Sequence, residues 1–565
     1  MSTAPATTSS SYGIGVNNDL LIRVPLDAKL VVDVGCGAGA LARAIRRRNP
    51  ATQVIGIERD PGLAAQARLG MNEVLEIDLD REELPLAHGS VDCLVYGDVL
   101  EHLTDPWNVL QRHLPALTED GVLLICVPNV GHWSFIERLI RGQWRYEEMG
   151  LFDRTHLRWF TEATMREALQ QAGLTVVEVL PRVFNIEAFH QHASRIEPAL
   201  KQMGVDPTAY VRRAAPLQFV WRATRQPPRR MHIVGRSLRP QAAMVDVRMQ
   251  QPLLALASRP GLSFQLGVEP KIAQPPPGTP AIHILQRSIL SPQSIPYIRA
   301  VRQAGYLIVQ EFDDDPAHNP LLEKAENLAF RAVHAIQTST EPLADVLREW
   351  NPEVGVHPNA LAELPELNNF RELPRLRIFF GALNRERDVA PLLPALNSVL
   401  AEAGDRLSVQ VVHDRTTFDA LATSHKSFTP LCDYARYKAL MGACEVALLP
   451  LADNRFNRLK SDLKWIEASG HGLVSIASPT VYERSIRNGE TGFLAATPEE
   501  FASALRSILA NPERARAMAL AARTEVAGTR LQAHQAAKRR AWYDSLWERR
   551  AELDAKLLER VPALA

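Results

Sequence analysis

Short runs of apolar and β-branched residues alternate with longer amphipathic segments along most of this chain. Helical periodicity fills the segments between the apolar runs. Strands that alternate with helices favour parallel pairing, with helices on both faces of one sheet, so the predicted fold class is α/β. The first seven predicted strands are Leu30–Val34, Gln53–Glu58, Glu73–Ile77, Val91–Gly97, Val122–Val127, Leu174–Leu180 and Leu217–Arg222.

The same alternation begins again after a break at residues 225–230, RQPPRR, whose two prolines continue neither a helix nor a strand. A strand at Met231–Gly235 opens a second region, and another at Leu376–Leu383 opens a third. We therefore predict three Rossmann-like units in series. Their order is a disordered tail over 1–18, a unit over 19–224, a linker over 225–230, and units over 231–365 and 366–565, the last with a C-terminal surface helix over Leu531–Leu558.

Composition narrows the function classes. The 565 residues include 64 Lys and Arg and 64 Asp and Glu, so the net charge is zero and gives no electrostatic reason to expect nucleic acid as a partner. The five cysteines are scattered without metal-ligand spacing, which is typical of reduced thiols. The N-terminus lacks the pattern of a signal peptide, and no run of about 18 apolar residues occurs. We expect a cytoplasmic protein.

A glycine-rich turn follows the first strand and precedes a helix. Asp33 ends the strand region, and Gly35, Gly37 and Gly39 follow it. Glycines allow a sharp turn and a close approach of a ligand to the backbone, and the amides at the helix start then face that ligand. Glu58 ends the second strand, where an acidic side chain suits a ribose diol. A nucleoside cofactor is therefore predicted.

Two further acids, Asp78 and Asp98, follow the third and fourth strands at the same sheet edge, where open α/β sheets bind ligands. The segments DVGCGAGALA, GIERD, EIDLDREELPL, DVLEHLTDP and GVLLICVPN, in this order, resemble the motifs of class I S-adenosylmethionine-dependent methyltransferases. A Rossmann-like fold that binds another nucleotide, or none, is the alternative. The resemblance implies S-adenosylmethionine as cofactor, with Gly35, Gly37 and Gly39 around its methionine part, Glu58 at the ribose, Asp78 near the adenine, Asp98 beside the sulfonium, and Asp33 in the same binding motif.

The methyl acceptor is suggested by FDRTHLRWF, residues 152–160. A hydroxyl must lose its proton as the methyl group arrives, and histidine is suited to that task near pH 7. His156 supported by Asp153 is one candidate base and His102 is another; a purely structural role is the alternative for each. The segment resembles a subgroup of these enzymes associated with sugar or polysaccharide biosynthesis. With no Asn-Pro-Pro-Tyr-type motif, a hydroxyl or carboxylate acceptor is favoured over an amine.

The C-terminal half carries a second set of motifs. HPNAL, GALNRERD, NRFNRLKSDLK, IEASGHG and NGETGFL resemble motifs of GT-B glycosyltransferases related to glycosyltransferase family 4. That resemblance implies a nucleotide-sugar donor, held at its diphosphate by Gly381, Arg385, Arg455 and Lys460 and at its ribose by Glu467. Leu459 departs from the family, which commonly has a second glutamate there. We predict no metal, because such enzymes stabilise the leaving diphosphate mostly with cations and helix dipoles.

Together the two halves predict a bifunctional enzyme, an O-methyltransferase joined to a glycosyltransferase, in surface polysaccharide or glycolipid biosynthesis. The acceptor would be a glycan, a glycolipid or a small molecule, with peripheral contact to a membrane-bound acceptor at the inner face of the membrane as one option. One alternative is a methyltransferase whose C-terminal half only binds carbohydrate. Another is a natural-product tailoring enzyme. A nucleic-acid methyltransferase ranks below these.

Overall fold

The computed structural model describes residues 15–238, 242–381 and 385–565. Most of the predicted tail, residues 1–14, and the end of the predicted strand Leu376–Leu383 lie outside the described residues. The described residues form two compact units, one drawn from residues 15–229 and 257–261, the other from residues 230–256 and 262–565. In the described part of the chain, no helix has the length and apolar character needed to cross a membrane.

The first unit is built on one seven-stranded sheet with the order β3-β2-β1-β4-β5-β7-β6. Strands β1 to β5 pair in parallel, as the alternating pattern predicts, but β7 runs antiparallel to both β5 and β6. The strands are β1 Leu30–Val34, β2 Gln53–Ile57, β3 Glu73–Leu75, β4 Val91–Gly97, β5 Leu117–Pro128, β6 Thr175–Val183 and β7 Pro216–Thr224.

Helices cover both faces of this sheet, and a separate apolar core lies on each face. Alternate residues of β1 show the division, since Val31 belongs to one core and Val32 to the other. The helices of this unit are α1 Asn18–Leu21, α2 Ala40–Arg48, α3 Pro61–Ala67, α4 Pro106–His113, α5 Trp133–Ile140, α6 Glu162–Gln171, α7 Ile186–Gln202 and α8 Pro207–Ala214.

The second unit contains two six-stranded parallel sheets, with the orders β13-β12-β11-β10-β8-β9 and β16-β15-β14-β17-β18-β19. The strands of the first are β8 Met231–Arg236, β9 Leu262–Gly267, β10 Ala281–Gln286, β11 Leu307–Glu311, β12 Ala335–Thr338 and β13 Val354–Val356. Those of the second are β14 Leu376–Gly381, β15 Leu407–Val412, β16 Lys426–Thr429, β17 Val446–Leu449, β18 Val474–Ala477 and β19 Phe493–Leu494. Three Rossmann-like sheets confirm the predicted α/β class.

Helices also flank the two sheets of the second unit. Those between β8 and β14 are α9 Ala242–Val245, α10 Gln251–Ala257, α11 Ile295–Gln303, α12 Pro320–Lys324, α13 Leu328–Arg331 and α14 Glu341–Arg348. Those after β14 are α15 Glu386–Val389, α16 Leu393–Ala403, α17 Arg415–Ala420, α18 Tyr434–Gly442, α19 Arg455–Arg458, α20 Leu463–Gly470, α21 Pro479–Tyr482, α22 Pro498–Ala510, α23 Pro512–Thr529, α24 Gln532–Glu548 and α25 Arg550–Arg560.

The C-terminal segment differs from its prediction in two ways. The single helix expected over Leu531–Leu558 is two helices, α24 and α25, which meet at Arg549. These helices also pack mainly on the first sheet of the unit, since Tyr543 and Leu557 belong to the cores around β8, β10 and β11. Ala533, near the start of α24, packs on the core of the second sheet. The apolar side chains of the two helices pack against strands that lie far upstream in the sequence. Local periodicity does not reveal such a contact.

Candidate functional site

The glycine turn lies between β1 and α2, and all three of its glycines have left-handed backbone conformations. The φ values are 69° at Gly35, 53° at Gly37 and 76° at Gly39, the residue that precedes α2. A Cβ atom on Gly35 would lie 2.4 Å from Val99 Cγ2, and one on Gly39 would lie 3.2 Å from Ala67 Cα. Both glycines are therefore required by conformation and by space.

Glu58 follows β2 and ties the turn to the neighbouring strand. Its Oε2 accepts a hydrogen bond from the Gly37 amide at 2.9 Å, and its Oε1 accepts one from the Asp60 amide at 2.9 Å. Each carboxylate oxygen retains a second acceptor position. Glu58 can therefore hold the turn and still accept hydrogen bonds from a ligand diol, so the residues present fit the nucleoside cofactor that the sequence predicts.

Asp33 and Asp78 lie in contrasting environments. Asp33 is 4% exposed, and burial, followed by the nearby charge of Glu58, raises the pKa of its carboxyl group to about 7. Asp78 lies beyond β3, where its amide donates to Glu82 Oε1 at 2.9 Å and its Oδ1 accepts from the Asp80 amide at 3.2 Å. Asp33 is thus a buried acid on β1, while Asp78 belongs to a loop at the sheet edge.

Asp98 follows β4 in a left-handed conformation, with a φ of 57°. Gln218 Nε2 on β7 donates to its Oδ1 at 2.5 Å. Burial raises the pKa of this carboxyl group to about 6. A non-glycine residue in this conformation costs about 1–3 kcal/mol and is often found where function fixes a side chain. Parallel β1, β2 and β4 end together, so Asp98 lies at the same edge as the glycine turn.

The predicted His156–Asp153 pair is not hydrogen-bonded through its side chains. Asp153 Oδ1 instead accepts from Thr155, from the amide at 2.8 Å and from Oγ1 at 2.6 Å. Thr155 Oγ1 in turn lies 2.9 Å from His102 Nδ1. Asp153 therefore orients His102 through Thr155, because the short loop turns its carboxylate toward its own backbone. Burial raises the pKa of Asp153, but the hydrogen bonds from Thr155 outweigh it and lower the pKa overall.

His102 and His156 lie side by side, with ring centroids 4.8 Å apart in an edge-to-face arrangement. Burial lowers the pKa of both imidazoles below the ordinary 6.5. The charge of Asp153 raises both pKa values, but by less than burial lowers them. Both rings are therefore neutral at pH 7. The structure brings together two histidines separated by more than fifty positions in sequence.

Sequence reasoning missed Glu101 as a functional candidate. Its side chain is 1% exposed, and neither carboxylate oxygen has a hydrogen-bond partner among the described residues. Burial, then the charges of Asp98 and Asp153, raise its pKa well above the ordinary value. One potential ligand atom from each of Glu101, His102 and His156 lies within 4.8 Å of the others. The available signal was Glu101 directly before His102 in DVLEHL, a pair of metal-ligand residue types.

An aromatic cluster adjoins the histidines. His156 lies 5.7 Å from the ring of Trp159, whose ring is 5.5 Å from Phe135 and 5.9 Å from Trp144. Phe135 is buried, whereas Trp144 is 39% exposed. The cluster therefore provides one half-open apolar wall beside the two imidazoles.

In the second unit, two of the predicted diphosphate residues, Gly381 and Arg385, lie at and just beyond the end of β14. Lys464 Nζ on α20 donates to the Gly381 carbonyl at 2.5 Å. Arg385 Nη1 donates to Asp388 Oδ2 at 2.8 Å and to Asn457 Oδ1 at 2.7 Å. Burial, then the charge of Arg385, lowers the pKa of Lys464 to about 8. Lys464 belongs to the cationic segment NRFNRLKSDLK, but sequence reasoning did not single it out as a donor-binding residue.

Glu467 lies three residues beyond Lys464 on α20 and is 3% exposed. Its Oε1 accepts a hydrogen bond from the Tyr434 hydroxyl, and burial raises the pKa of its carboxyl group. A buried carboxylate held by one phenol keeps acceptor capacity for a ligand hydroxyl. This geometry is compatible with the predicted contact to a donor ribose.

Lys460 and Arg455 lie toward the first sheet of this unit. Lys460 Nζ is 3.4 Å from Asp314 Oδ1 and 4.0 Å from the centroid of the Phe456 ring, and Arg455 Nε is 3.6 Å from Asp315 Oδ2. A cavity of about 1290 Å³ is lined by residues of both halves of the unit, including Lys460. Gly381, Arg385 and Glu467 do not line this cavity. The charges of Arg385 and Lys460 nevertheless lie close enough to Lys464 to lower its pKa.

Leu459, which stands where the family commonly has glutamate, has a structural explanation. It is 8% exposed and belongs to the apolar core beneath the first sheet of the second unit, and its carbonyl accepts from Thr340 Oγ1 at 3.0 Å. A glutamate would place an unpaired charge in that core. Leu459 therefore departs from the family motif at a position where an apolar side chain packs one half of this unit against the other.

Two family models match the chain. Residues 17–179 match a methyltransferase domain, and residues 399–550 match a family described as glycosyl transferase-like. A malonyl-[acyl-carrier protein] O-methyltransferase of Geobacter sulfurreducens is 30% identical over 163 residues, 28% of this chain and 61% of that protein. A trans-aconitate 2-methyltransferase of Escherichia coli is 30% identical over 113 residues, 20% of this chain and 44% of that protein.

Among solved structures, the pneumococcal O-GlcNAc transferase GtfA, in complex with UDP and GlcNAc, matches 47% of this chain and 57% of its own, at 16% identity and a TM-score of 0.38. The chain spans less than two thirds of each of these three relatives. The chain therefore carries a methyltransferase domain at residues 17–179 and a glycosyl transferase-like domain at residues 399–550.

Proposed function

We propose that this chain transfers a methyl group from S-adenosylmethionine to an acceptor oxygen in its first unit, and a sugar from a nucleotide-sugar in its second. The observation that carries the first activity is the left-handed glycine turn, fastened by the hydrogen bond from the Gly37 amide to Glu58 Oε2 at 2.9 Å. The acceptor class we favour is a glycan, a glycolipid or a small hydroxylated molecule.

S-adenosylmethionine supplies an electrophilic methyl group: the acceptor oxygen forms a bond to its carbon while the carbon–sulfur bond breaks and its electron pair stays on sulfur. The chain's residues position the two reactants in line for this displacement. Glu58 would hold the ribose of the bound cofactor, Asp78 would contact the adenine side, and Asp98 would face the sulfonium. A neutral imidazole, His102 or His156, accepts the proton that the acceptor hydroxyl loses.

For the second activity, we propose that Arg385, Lys460 and Lys464 bind the donor diphosphate and that Glu467 binds the ribose. Clustered cations stabilise the negative charge that develops on the leaving diphosphate. The alternative is a second unit that binds carbohydrate without catalysis. It is favoured by Leu459, which removes a carboxylate common at this position in related enzymes.

Titration calorimetry of the full chain with S-adenosylmethionine and S-adenosylhomocysteine tests the first activity. We expect binding of both, weakened at least about tenfold in Glu58→Ala and unchanged in Glu73→Ala, an exposed acid on β3. Absence of binding by the wild-type chain would remove the methyltransferase proposal.

A panel of nucleotide-sugars, assayed for hydrolysis and transfer, tests the second activity. We expect Glu467→Ala and Lys460→Ala to abolish turnover of the active donor, while Glu513→Ala, on α23, leaves it unchanged. If no donor is turned over but sugar binding persists, the second unit is a carbohydrate-binding module.

A further inference from the structure

Three side chains of the first unit, Glu101, His102 and His156, form a cluster in which several polar atoms have no hydrogen-bond partner among the described residues. Glu101 is 1% exposed and His156 is 6% exposed, and among the described residues the carboxylate oxygens and the two ring nitrogens of these side chains have no hydrogen-bond partner of normal geometry. Buried polar groups usually have a hydrogen-bond partner, so a cluster of several buried polar atoms without one requires an explanation. A bound cation would satisfy a buried carboxylate and an imidazole together.

The third member, His102, is oriented as a ligand. Its Nδ1 lies 2.9 Å from Thr155 Oγ1 and 3.3 Å from the Thr155 carbonyl. The carbonyl is an obligate acceptor, so it favours the tautomer that carries the proton on Nδ1, which leaves the lone pair of Nε2 free. Thr155 is itself fixed by Asp153. Metal-binding histidines are typically held in this way, with the non-ligating nitrogen donating to a backbone or side-chain oxygen.

The spacing of the three groups suits one ion. One potential ligand atom from each residue lies within 4.8 Å of the others. Ligands at about 2.0–2.2 Å from a tetrahedral cation lie about 3.3–3.6 Å apart, so the three side chains would close by up to about 1.5 Å to complete the site. The site also has access, because His102 is only partly buried while the other two ligands are buried.

The geometry points to a divalent transition-metal site formed by Glu101, His102 and His156. Two imidazoles and one carboxylate favour ions such as Mn²⁺, Co²⁺ or Zn²⁺ over Mg²⁺ or Ca²⁺, which prefer oxygen ligands. Three protein ligands leave coordination positions for an oxygen of another molecule. The sequence predicted no metal, from the spacing of the cysteines and from the second unit. Sequence reasoning did not identify this cluster.

The role of the ion rests on the proposed methyl transfer. Asp98, predicted to lie beside the sulfonium, is three residues before Glu101 and close enough for its charge to act on that carboxyl group. A metal-bound acceptor hydroxyl has a lowered pKa and can release its proton to water. With an ion bound, His102 and His156 would serve as its ligands, and water would accept the proton that the proposed function assigns to a free imidazole when no ion is bound.

Visible absorption of Co²⁺ added to the metal-free full chain tests the site. We expect one Co²⁺ per chain, with an intensified visible absorption band typical of a four- or five-coordinate ion, and we expect Zn²⁺ but not Mg²⁺ to displace it. Glu101→Gln and His156→Gln should each weaken Co²⁺ binding at least about tenfold. His88→Gln, which changes an exposed histidine outside the cluster, should bind as the wild type does.

Circular dichroism and thermal melting of each variant establish that it is folded. No Co²⁺ uptake by the wild-type chain, or unchanged uptake by both folded variants, would overturn the inference and leave Glu101 a buried neutral acid. Calorimetry with S-adenosylmethionine separates the two proposals. Cofactor binding without Co²⁺ uptake refutes only the metal site, whereas Co²⁺ uptake without cofactor binding refutes only the methyltransferase.

Discussion

Gly35 packs so closely against Val99 that a Cβ atom at position 35 would lie 2.4 Å from Val99 Cγ2. The contact joins the turn after β1, which carries the predicted cofactor-binding glycines, to the segment after β4, which carries Asp98 and His102. Because Val99 follows Asp98 and precedes Glu101, the position of the glycine turn is coupled to the residues of the proposed metal site.

This contact predicts a graded effect of alanine substitution. Gly35→Ala introduces both the clash and a left-handed alanine, since φ is 69°, whereas Gly89→Ala introduces only the conformational strain, at a φ of 64° with no atom within 4 Å of its Cβ. We expect Gly89→Ala to lower the free energy of unfolding by about 1 kcal/mol and Gly35→Ala by about 2–4 kcal/mol. Urea denaturation measures both, and equal losses would show that the contact with Val99 is easily relieved.

The buried carboxyl group of Asp33 predicts that the first unit loses stability as pH rises. Its pKa is raised from 3.8 to about 7, so its contribution is fully present below pH 3.8 and lost as pH rises through about 7. At most about 4 kcal/mol is involved. Asp33→Asn should flatten this dependence, and the exposed Asp120→Asn should not. Hydrogen exchange of peptides covering β1 measures it, and identical profiles for wild type and Asp33→Asn would contradict the prediction.

The two histidines predict the acid limb of methyl transfer, because an imidazole must be neutral both to accept a proton and to bind a metal ion. Burial lowers the pKa of His102 and His156 below 6.5, so transfer should be constant near pH 7 and fall only as pH drops below 6.5. The charge of Asp153 raises both pKa values, so Asp153→Asn should move the limb to lower pH. The pH dependence of kcat/KM measures the limb, with Glu162→Gln on α6 as the control. A limb above pH 7 would exclude these imidazoles as the titrating groups.

We predict that replacing Leu459 by the glutamate common in related enzymes will destabilise the second unit. Leu459→Glu puts a charge into an apolar core where the side chain is 8% exposed, and should cost the second unit about 2–5 kcal/mol. Leu459→Met, which keeps an apolar side chain of similar volume, should cost less than about 1.5 kcal/mol. Thermal melting compares them, and a Leu459→Glu variant of wild-type stability with increased sugar transfer would show that the position belongs to the donor site.

Much of the architecture followed from local patterns. The apolar runs located β1 and β4 at their observed bounds, and the glycine spacing located the turn between β1 and α2, because strand period and left-handed backbone conformations leave signals within a few residues. The polar start of β5, at Leu117–Gly121, left no such signal, so that strand was predicted too short.

The sequence by itself determined the α/β class, the three sheets in series, and the sheet edge that carries Glu58, Asp78 and Asp98, since each depends on residues close together in the chain. Only the tertiary structure decided that Asp153 orients His102 rather than His156 and that the C-terminal helices return to the first sheet of their unit. It alone also places the Glu101 carboxylate, which has no hydrogen-bond partner among the described residues, beside two histidines. These relationships join residues distant in sequence, and their energies depend on burial and direction, which no local pattern encodes.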